Sequence, residues 1–305
     1  MPRVMRISVV TPSLNQARFI ERTVRSVLDQ PYTELEYVIC DGGSSDGTQQ
    51  IIQPYVRQLR LICEPDAGQA DAVNKGIAAT SGEIIGWLNS DDIYRTGALV
   101  TVSAAFARDS DLDVIYGDAH LIDADDRVLG RYYTESWRRE RLLERCFLCQ
   151  PAVFFRRRVV DRFGLLDAEL QYSMDYEYWL RLAHGGARFA YLPYTLAASR
   201  LHADTKTARQ AVAFNEEIVQ ALKRYSDKIP DGWLLTYTHA LLQQRPGYPF
   251  RNPLAFALSV ASVSWRLSKT LNGSVSGRMA LSTLRTVGAG AAKTVLGYPA
   301  TPPAA

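Results

Sequence analysis

Short apolar runs alternate with helical stretches through the first third of the chain, and this alternation constrains the fold more than any other feature. Residues 6–11 (Arg-Ile-Ser-Val-Val-Thr) read as a buried strand. Ile20, Val24, Val27 and Leu28 then mark one face of a helix, with Asn15 as its cap. Strands follow at 35–40, 59–63 and 83–88, with helices over 49–56 and 69–79 between them. A strand–helix repeat of roughly 25 residues predicts an α/β fold with a mostly parallel central sheet, helices on both faces and right-handed crossovers.

Three of these strands end in carboxylates: Asp41 after the second, Asp66 after the third, and Asn89-Ser90-Asp91-Asp92 after the fourth. Turns and caps also use Asp and Asn, and Asp46 suits a cap better than Asp41 does. Open α/β sheets, however, bind ligands at the carboxyl edge, and three successive acidic strand ends exceed what turns require. Hard oxygen ligands suit Mg2+ or Mn2+ bridging phosphates. The turn after the first strand, Thr11-Pro12-Ser13-Leu14-Asn15-Gln16, holds no glycine. That excludes a dinucleotide fingerprint and a P-loop. A bound diphosphate would therefore be neutralised through a divalent cation on the acidic cluster.

Further along, the sequence predicts a helix after Gly97, a strand at 114–117, a hairpin over 119–131 and a charged helix over 138–145. A short strand at 152–155 and helices over 176–182 and 209–225 follow. Four cysteines in 305 residues make no disulfide framework. Cys40 and Cys63 fall in strand-like runs and read as core thiols. Cys146-Phe147-Leu148-Cys149 is a single C-x-x-C, without the second pair a zinc site needs, which leaves a redox dithiol as its functional reading. The first residues lead into a strand and read as no signal peptide, so a reducing, cytoplasmic setting is the expectation.

Net charge is +3, but no Asp or Glu follows Asp231. Seven of the 35 basic residues lie beyond it, leaving 28 against 32 acidic residues, a balance of −4. In that stretch Leu254, Leu258, Ala261 and Trp265, then Met279, Leu284 and Val287, fall at helical spacing. Serines interrupt the apolar runs before the roughly 18 residues of a membrane span. The expectation is an amphipathic segment lying on an anionic membrane. Small residues in place of interleaved aromatics argue against nucleic acid as the partner.

Five stretches carry a family resemblance: Val10-Thr11-Pro12-Ser13, Cys40-Asp41-Gly42-Gly43-Ser44-Ser45-Asp46-Gly47-Thr48, Glu64-Pro65-Asp66 with Gly68, Asn74-Lys75-Gly76 and Trp87-Leu88-Asn89-Ser90-Asp91-Asp92. Together they resemble family 2 glycosyltransferases of the GT-A fold, in order and at fitting spacing over residues 6–205. The resemblance implies transfer of a sugar from a nucleotide diphosphate donor, with inversion at the anomeric carbon. It implies that Thr11 and Pro12 line the nucleotide pocket, that Asp41 receives the base N–H, and that Asp66 lies beside the nucleoside. The family's metal motif reads Asp-x-Asp; here Asn89 holds its first position and Asp91 its third. Asn89 is accordingly assigned to a ribose hydroxyl, with Ser90 also on the nucleotide sugar. Asp91 is assigned to the metal, Mn2+ or Mg2+, with Asp92 supporting that metal site.

An inverting transfer also needs a general base for the acceptor hydroxyl. Asp175, in Ser173-Met174-Asp175-Tyr176-Glu177-Tyr178-Trp179-Leu180-Arg181, precedes a predicted helix and would serve equally as its N-cap. By resemblance it is the base, with Glu177 the runner-up. Gln150, in Gln150-Pro151-Ala152, resembles a residue near the donor phosphates and acceptor. His202 reads either as a surface histidine or as a late metal or diphosphate ligand, and Arg200 and Lys206 as charge for the leaving diphosphate.

The expected organisation is a catalytic domain over 1–210, a helical basic extension over 211–297 and a disordered tail over 298–305. The expected function is transfer of a sugar, from a UDP-sugar by family weight, to a glycan or lipid-linked acceptor in cell-surface polysaccharide synthesis, at the inner face of the cell membrane. A sugar-nucleotide-binding protein without turnover is the alternative, motivated by Asn89. A nucleotidyltransferase is disfavoured by the missing glycine loop.

Overall fold

The computed structural model describes residues 4–202, 210–248 and 252–295. The chain divides into two units, Met1–Leu142 with Cys146–Thr205, and Leu143–Arg145 with Lys206–Ala305.

In the first unit β1 (Ile7–Ser13), β2 (Leu35–Asp41), β3 (Arg60–Cys63) and β4 (Ile84–Trp87) run parallel. Helices α1 (Ile20–Leu28), α2 (Thr48–Ile52) and α3 (Gln69–Ala78) connect them. Ile20, Val24 and Val27 of α1 pack with Ile7, Val9 and Ile39 on one face, while Ala72 of α3 packs with Val38 and Cys40 on the other. Covered on both faces, β1 is buried at every residue, as central parallel strands are. The remaining strands are β5 (Ile93–Tyr94), β6 (Val114–Ile122), β7 (Val128–Arg131), β8 (Val153–Arg156) and β9 (Phe189–Arg200). Among the described residues the order is β3-β2-β1-β4-β8-β6-β9-β5, with β7 beside β6. β8 enters antiparallel between β4 and β6, and β6 and β9 restore a parallel pair. Helices α4 (Ala98–Arg108), α6 (Arg157–Phe163) and α7 (Met174–His184) complete this unit, and α5 (Arg139–Glu144) begins in it and ends in residues assigned to the second.

Three local expectations are corrected. Asn15 does not cap α1, which follows Phe19; Asn15 is left-handed (φ 53°), and its Oδ1 accepts from Ser45 N at 2.9 Å. Cys63 is exposed because β3 is the sheet's edge, whereas Cys40 is buried. The strand β9 has no counterpart in the sequence reading, because Pro193 interrupts its run. The proline falls where β9 carries extra residues, between the Gly117–Leu192 and Asp118–Thr195 pairs. A bulge there spares the ladder a missing N–H.

The second unit is helical: α8 (Ala211–Lys223), α9 (Asp231–Gln243), α10 (Pro253–Asn272) and α11 (Gly277–Val295). Asn252 caps α10, its Oδ1 accepting from Leu254 N at 2.9 Å and Ala255 N at 3.0 Å, and Gly273 ends it at φ 74°. The buried stripe of α10 runs through Ala257, Val260, Val263, Ser264 and Ser268, while Leu258 is exposed and Leu254, Ala261 and Trp265 are half-buried. Among the described residues no helix is long and apolar enough to cross a membrane. Lys206 and the expected tail over 298–305 lie outside the described residues.

Candidate active site

The carboxyl ends of β1 to β4 bring the first set of expected residues together. Asp41, buried at the end of β2, accepts from Ser44 N at 2.8 Å, Gly43 N at 3.2 Å and Gln49 Nε2 at 2.7 Å on Oδ1, and from Ser44 Oγ at 2.6 Å on Oδ2. It therefore organises the 41–48 loop as an Asx-turn, and Asp46 Oδ1 takes the Thr48 N–H at the start of α2. Asp66 accepts from Gly68 N at 2.9 Å, and its carboxylate lies against Gly42, where a Cβ would come within 2.4 Å of Oδ2. Only glycine at 42 permits that approach. Thr11 is fully buried and its hydroxyl pairs with Tyr37 Oη at 3.2 Å, so its side chain faces the core and Pro12, also buried, follows it.

The acidic loop after β4 is pinned from several sides. Asn89 Oδ1 accepts from Gln69 Nε2 at 2.7 Å and Trp87 Nε1 at 2.9 Å, which leaves Nδ2 as what it can offer a ligand. Thr23 Oγ1, on α1, donates to the carbonyls of Ser90 and Asp92 at 2.9 and 2.7 Å. Gln150 Nε2 donates to Trp87 O at 2.7 Å, while its buried Oε1 has no partner among the described residues.

Asp91 and Asp92 diverge. Asp92 is buried and accepts from Arg200 N at 2.8 Å; burial, then the charge of Asp91, raise its carboxyl well above the ordinary range. It holds the loop and does not share an opening with Asp91. Asp91 Oδ2 instead meets His202 Nε2 at 3.0 Å. The His202 side chain is 9% exposed and its ring lies 4.9 Å from that of Phe19, so it is no surface histidine. Arg200 departs from its expected role. Its side chain is wholly buried, bonded to the Asp91 and Asp123 carbonyls at 2.7 Å each, and so cannot reach a leaving diphosphate.

One carboxylate oxygen and one imidazole nitrogen suit Mn2+, and Mg2+ less well because it prefers oxygen ligands. Asp91 Oδ2 and His202 Nε2, hydrogen-bonded to each other at 3.0 Å, are the two groups that would hold such an ion. Among the described residues no group of three or more His, Cys, Asp or Glu could hold a metal. The pair therefore fits an ion that arrives with a diphosphate supplying further oxygens.

Asp175 lies in the first turn of α7, after the N-cap Ser173, so it is not the cap itself. Its Oδ1 accepts from Tyr176 N at 2.8 Å, and although part of it remains open, crowding pushes its carboxyl up to about 6. Glu177 is buried and paired with Arg181 at 2.9 Å, which commits the runner-up base to the helix. Burial foremost pushes the Cys149 and Cys146 thiols up, away from the thiolate that redox chemistry needs. Sequence reasoning missed Thr23, Gln69 and Phe19, which carry no motif signal; only their contacts reveal them.

The mixed, mostly parallel sheet with helices on its faces and acidic strand ends at its carboxyl edge is a GT-A-type fold. The chain belongs to glycosyl transferase family 2, whose model matches residues 8–164. It is 28% identical over 176 residues to an uncharacterized glycosyltransferase of Nostoc sp., covering 53% of this chain and 54% of that one. It is 28% identical over 190 residues to the chondroitin synthase of Escherichia coli (61% and 28% covered). For the hyaluronan synthase of Pasteurella multocida the figures are 27% over 215 residues (68% and 22%). The chain thus spans about half or less of the length of these curated relatives. Among solved structures, S. aureus TarS in complex with UDP-GlcNAc superposes with TM-score 0.61 at 16% identity, covering 96% of this chain and 93% of that one. A mannosyltransferase from Pyrobaculum calidifontis in complex with GDP-Man and Mn2+ gives 0.59 at 17% identity (97% and 88%). At such identities the likeness is one of fold.

Proposed function

We propose that the chain transfers a sugar, with a UDP-sugar as the leading donor, to a hydroxyl of a glycan or lipid-linked acceptor in cell-surface polysaccharide synthesis, with inversion. The observation that carries this reading is the Asp91–His202 pair, 3.0 Å apart at the carboxyl edge of the sheet, in a chain whose Asp175 is raised toward neutrality. The sugar nucleotides and Mn2+ named with the two solved relatives support the same donor class and Mn2+ or Mg2+ here.

In this reading the Asp41 loop and Asp66 hold the nucleoside. Asn89 Nδ2 donates to a ribose hydroxyl, and Gln150 Oε1, buried without a partner among the described residues, accepts from a sugar hydroxyl. A divalent cation on Asp91 and His202 would neutralise charge gathering on the departing diphosphate. Asp175 takes the proton of the acceptor hydroxyl. The hydroxyl oxygen bonds the anomeric carbon as the bond to the diphosphate breaks, and the electron pair leaves with the diphosphate. One base and one in-line displacement give inversion.

The basic extension is proposed to rest on an anionic membrane. On α11, Leu281 and Leu284 are 52% and 58% exposed beside exposed Arg278 and Arg285, while Met279 and Thr283 are buried. The cytoplasmic leaflet carries the negative charge such a face matches, which makes that surface the proposed workplace.

Incubation with a panel of nucleotide sugars and a membrane extract, followed by mass spectrometry of the glycan and lipid fractions, tests the transferase. A product one sugar heavier supports it. Donor binding with no heavier product from any donor contradicts it and favours a binding-only protein.

A further inference from the structure

Arg200, the last residue of β9, gathers three separate segments. Its Nε donates to Asp91 O at 2.7 Å, its Nη1 donates to Asp123 O at 2.7 Å, and Nη1 pairs with Asp126 Oδ1 at 2.5 Å. Its backbone N–H donates to Asp92 Oδ1 at 2.8 Å. The guanidinium stands 4.9 Å from the centre of the Phe19 ring, and that ring in turn is 4.9 Å from the ring of His202. The buried cation therefore touches the backbone of one proposed ligand residue and the ring on which the other rests, and the backbone of the same arginine holds the side chain of Asp92. A buried guanidinium holds its place only where acceptors and a counter-charge match its planar fork. Asp126 supplies the counter-charge and shares it with Arg22, whose Nη1 lies 3.1 Å from the same Oδ1 and whose guanidinium stands 5.4 Å from the centre of the Phe19 ring. Asp126 sits in the β6–β7 turn, outside the acidic loop, at φ 68°, a left-handed conformation that Asn and Asp adopt more readily than other side-chain-bearing residues. Strained backbone of this kind persists where surrounding contacts over-determine it, and here they lead to the site.

We propose that the Asp126–Arg200 pair is a positioning device that sets Asp91 and His202 in register before any ligand arrives. What the site binds rests on the glycosyltransferase reading above; the arrangement itself does not. Neither residue touches substrate in this account: Asp126 acts through Arg200 and, beside it, through Arg22 on Phe19, while Arg200 acts through the Asp91 carbonyl, Phe19 and, by its backbone N–H, the Asp92 carboxylate.

The test is Asp126→Asn, which keeps the side-chain shape and tolerates the left-handed backbone while removing the charge. Asp125→Asn is the matched control, since Asp125 lies in the same turn and pairs instead with Arg127. The chain has four histidines, so side-chain 1H–15N spectra of the ligand-free protein, with His202 assigned through His202→Gln, read its position directly. Asp126→Asn is expected to shift or broaden the His202 signals, and Asp125→Asn to leave them in place. Calorimetric titration with UDP is expected to show Mn2+-dependent affinity falling roughly three- to tenfold in Asp126→Asn, with affinity in EDTA little changed and the melting temperature lowered, since the buried Arg200 loses its counter-charge. Arg200→Lys, which keeps the charge but loses the fork, is expected to displace His202 further. Unmoved His202 signals in Asp126→Asn, or the same displacement in Asp125→Asn, overturn the proposal. Equal loss of UDP affinity with and without Mn2+ overturns it too. Failure of the unmutated protein to bind any nucleoside diphosphate would sink the transferase reading, while the histidine spectra would still decide the positioning claim.

Discussion

Asp175 places function and stability in opposition. Burial pushes its carboxyl up to about 6, so the ionised base predominates at neutral pH, and the rate is expected to fall along a limb near pH 6 as the base is protonated. The folded chain holds this proton where the unfolded chain has released it, between about pH 4 and 6. This contribution to stability therefore falls as pH rises through that window and stays low above it. At pH 7 the deprotonated carboxylate costs the fold on the order of 1–3 kcal/mol. Asp175→Asn is expected to lose roughly 10²–10⁴ in rate yet melt higher than the unmutated protein at pH 7, with the difference closing towards pH 4. Thermal melts at both values check this. Asn89 gives a second residue-scale prediction. An aspartate there would keep the bonds from Trp87 and Gln69 on one oxygen and add charge beside Asp91. Asn89→Asp exchanges the Nδ2 donor for an acceptor that a ribose hydroxyl can meet as donor, and is expected to fold normally and to tighten Mn2+-dependent nucleotide binding several-fold, readable by calorimetry.

At the scale of elements, the 41–48 loop and Asp66 act as one piece, because Gly42 lets the two meet. Gly42→Ala would drive a methyl into the Asp66 carboxylate, and nucleotide affinity is expected to drop about tenfold with little loss of fold, measurable by thermal shift with added UDP. The parallel half of the sheet was legible in the sequence because each strand is a short apolar run closed by turn residues. The other half was not. Pro193 hides β9, whose bulge appears only once β6 is beside it. Arg200 looks like an ordinary surface charge in Ser199-Arg200-Leu201-His202, and nothing local predicts that acceptors from two distant loops will bury it. Asn15 resembles a cap, but the Ser45 N–H competes for its oxygen. The carboxylates at the strand ends were readable because topology alone sends them to one edge; how Asp91 and Asp92 divide their duties depends on β9 and was not.

Across the whole chain, the stretch after Asp231 carries seven basic residues and no acidic one, and α11 exposes Leu281 and Leu284. Binding of the full chain to vesicles rich in phosphatidylserine is expected to exceed binding to neutral vesicles and to weaken with salt. Leu281→Glu with Leu284→Glu should reduce it at least tenfold in co-sedimentation; equal binding to neutral vesicles would remove the membrane proposal and leave the enzyme intact. The central claim is that this fold runs a metal-assisted sugar transfer with Asp91 and Asp175 in separate roles. Release of nucleoside diphosphate from a panel of nucleotide sugars, with Mn2+, Mg2+ or EDTA, tests it most directly when the unmutated protein is compared with Asp91→Ala and Asp175→Asn. The account predicts turnover that needs a divalent ion and is lost in both variants, with donor binding weakened in Asp91→Ala and retained in Asp175→Asn. Turnover that persists in EDTA, or that survives Asp175→Asn, would contradict it.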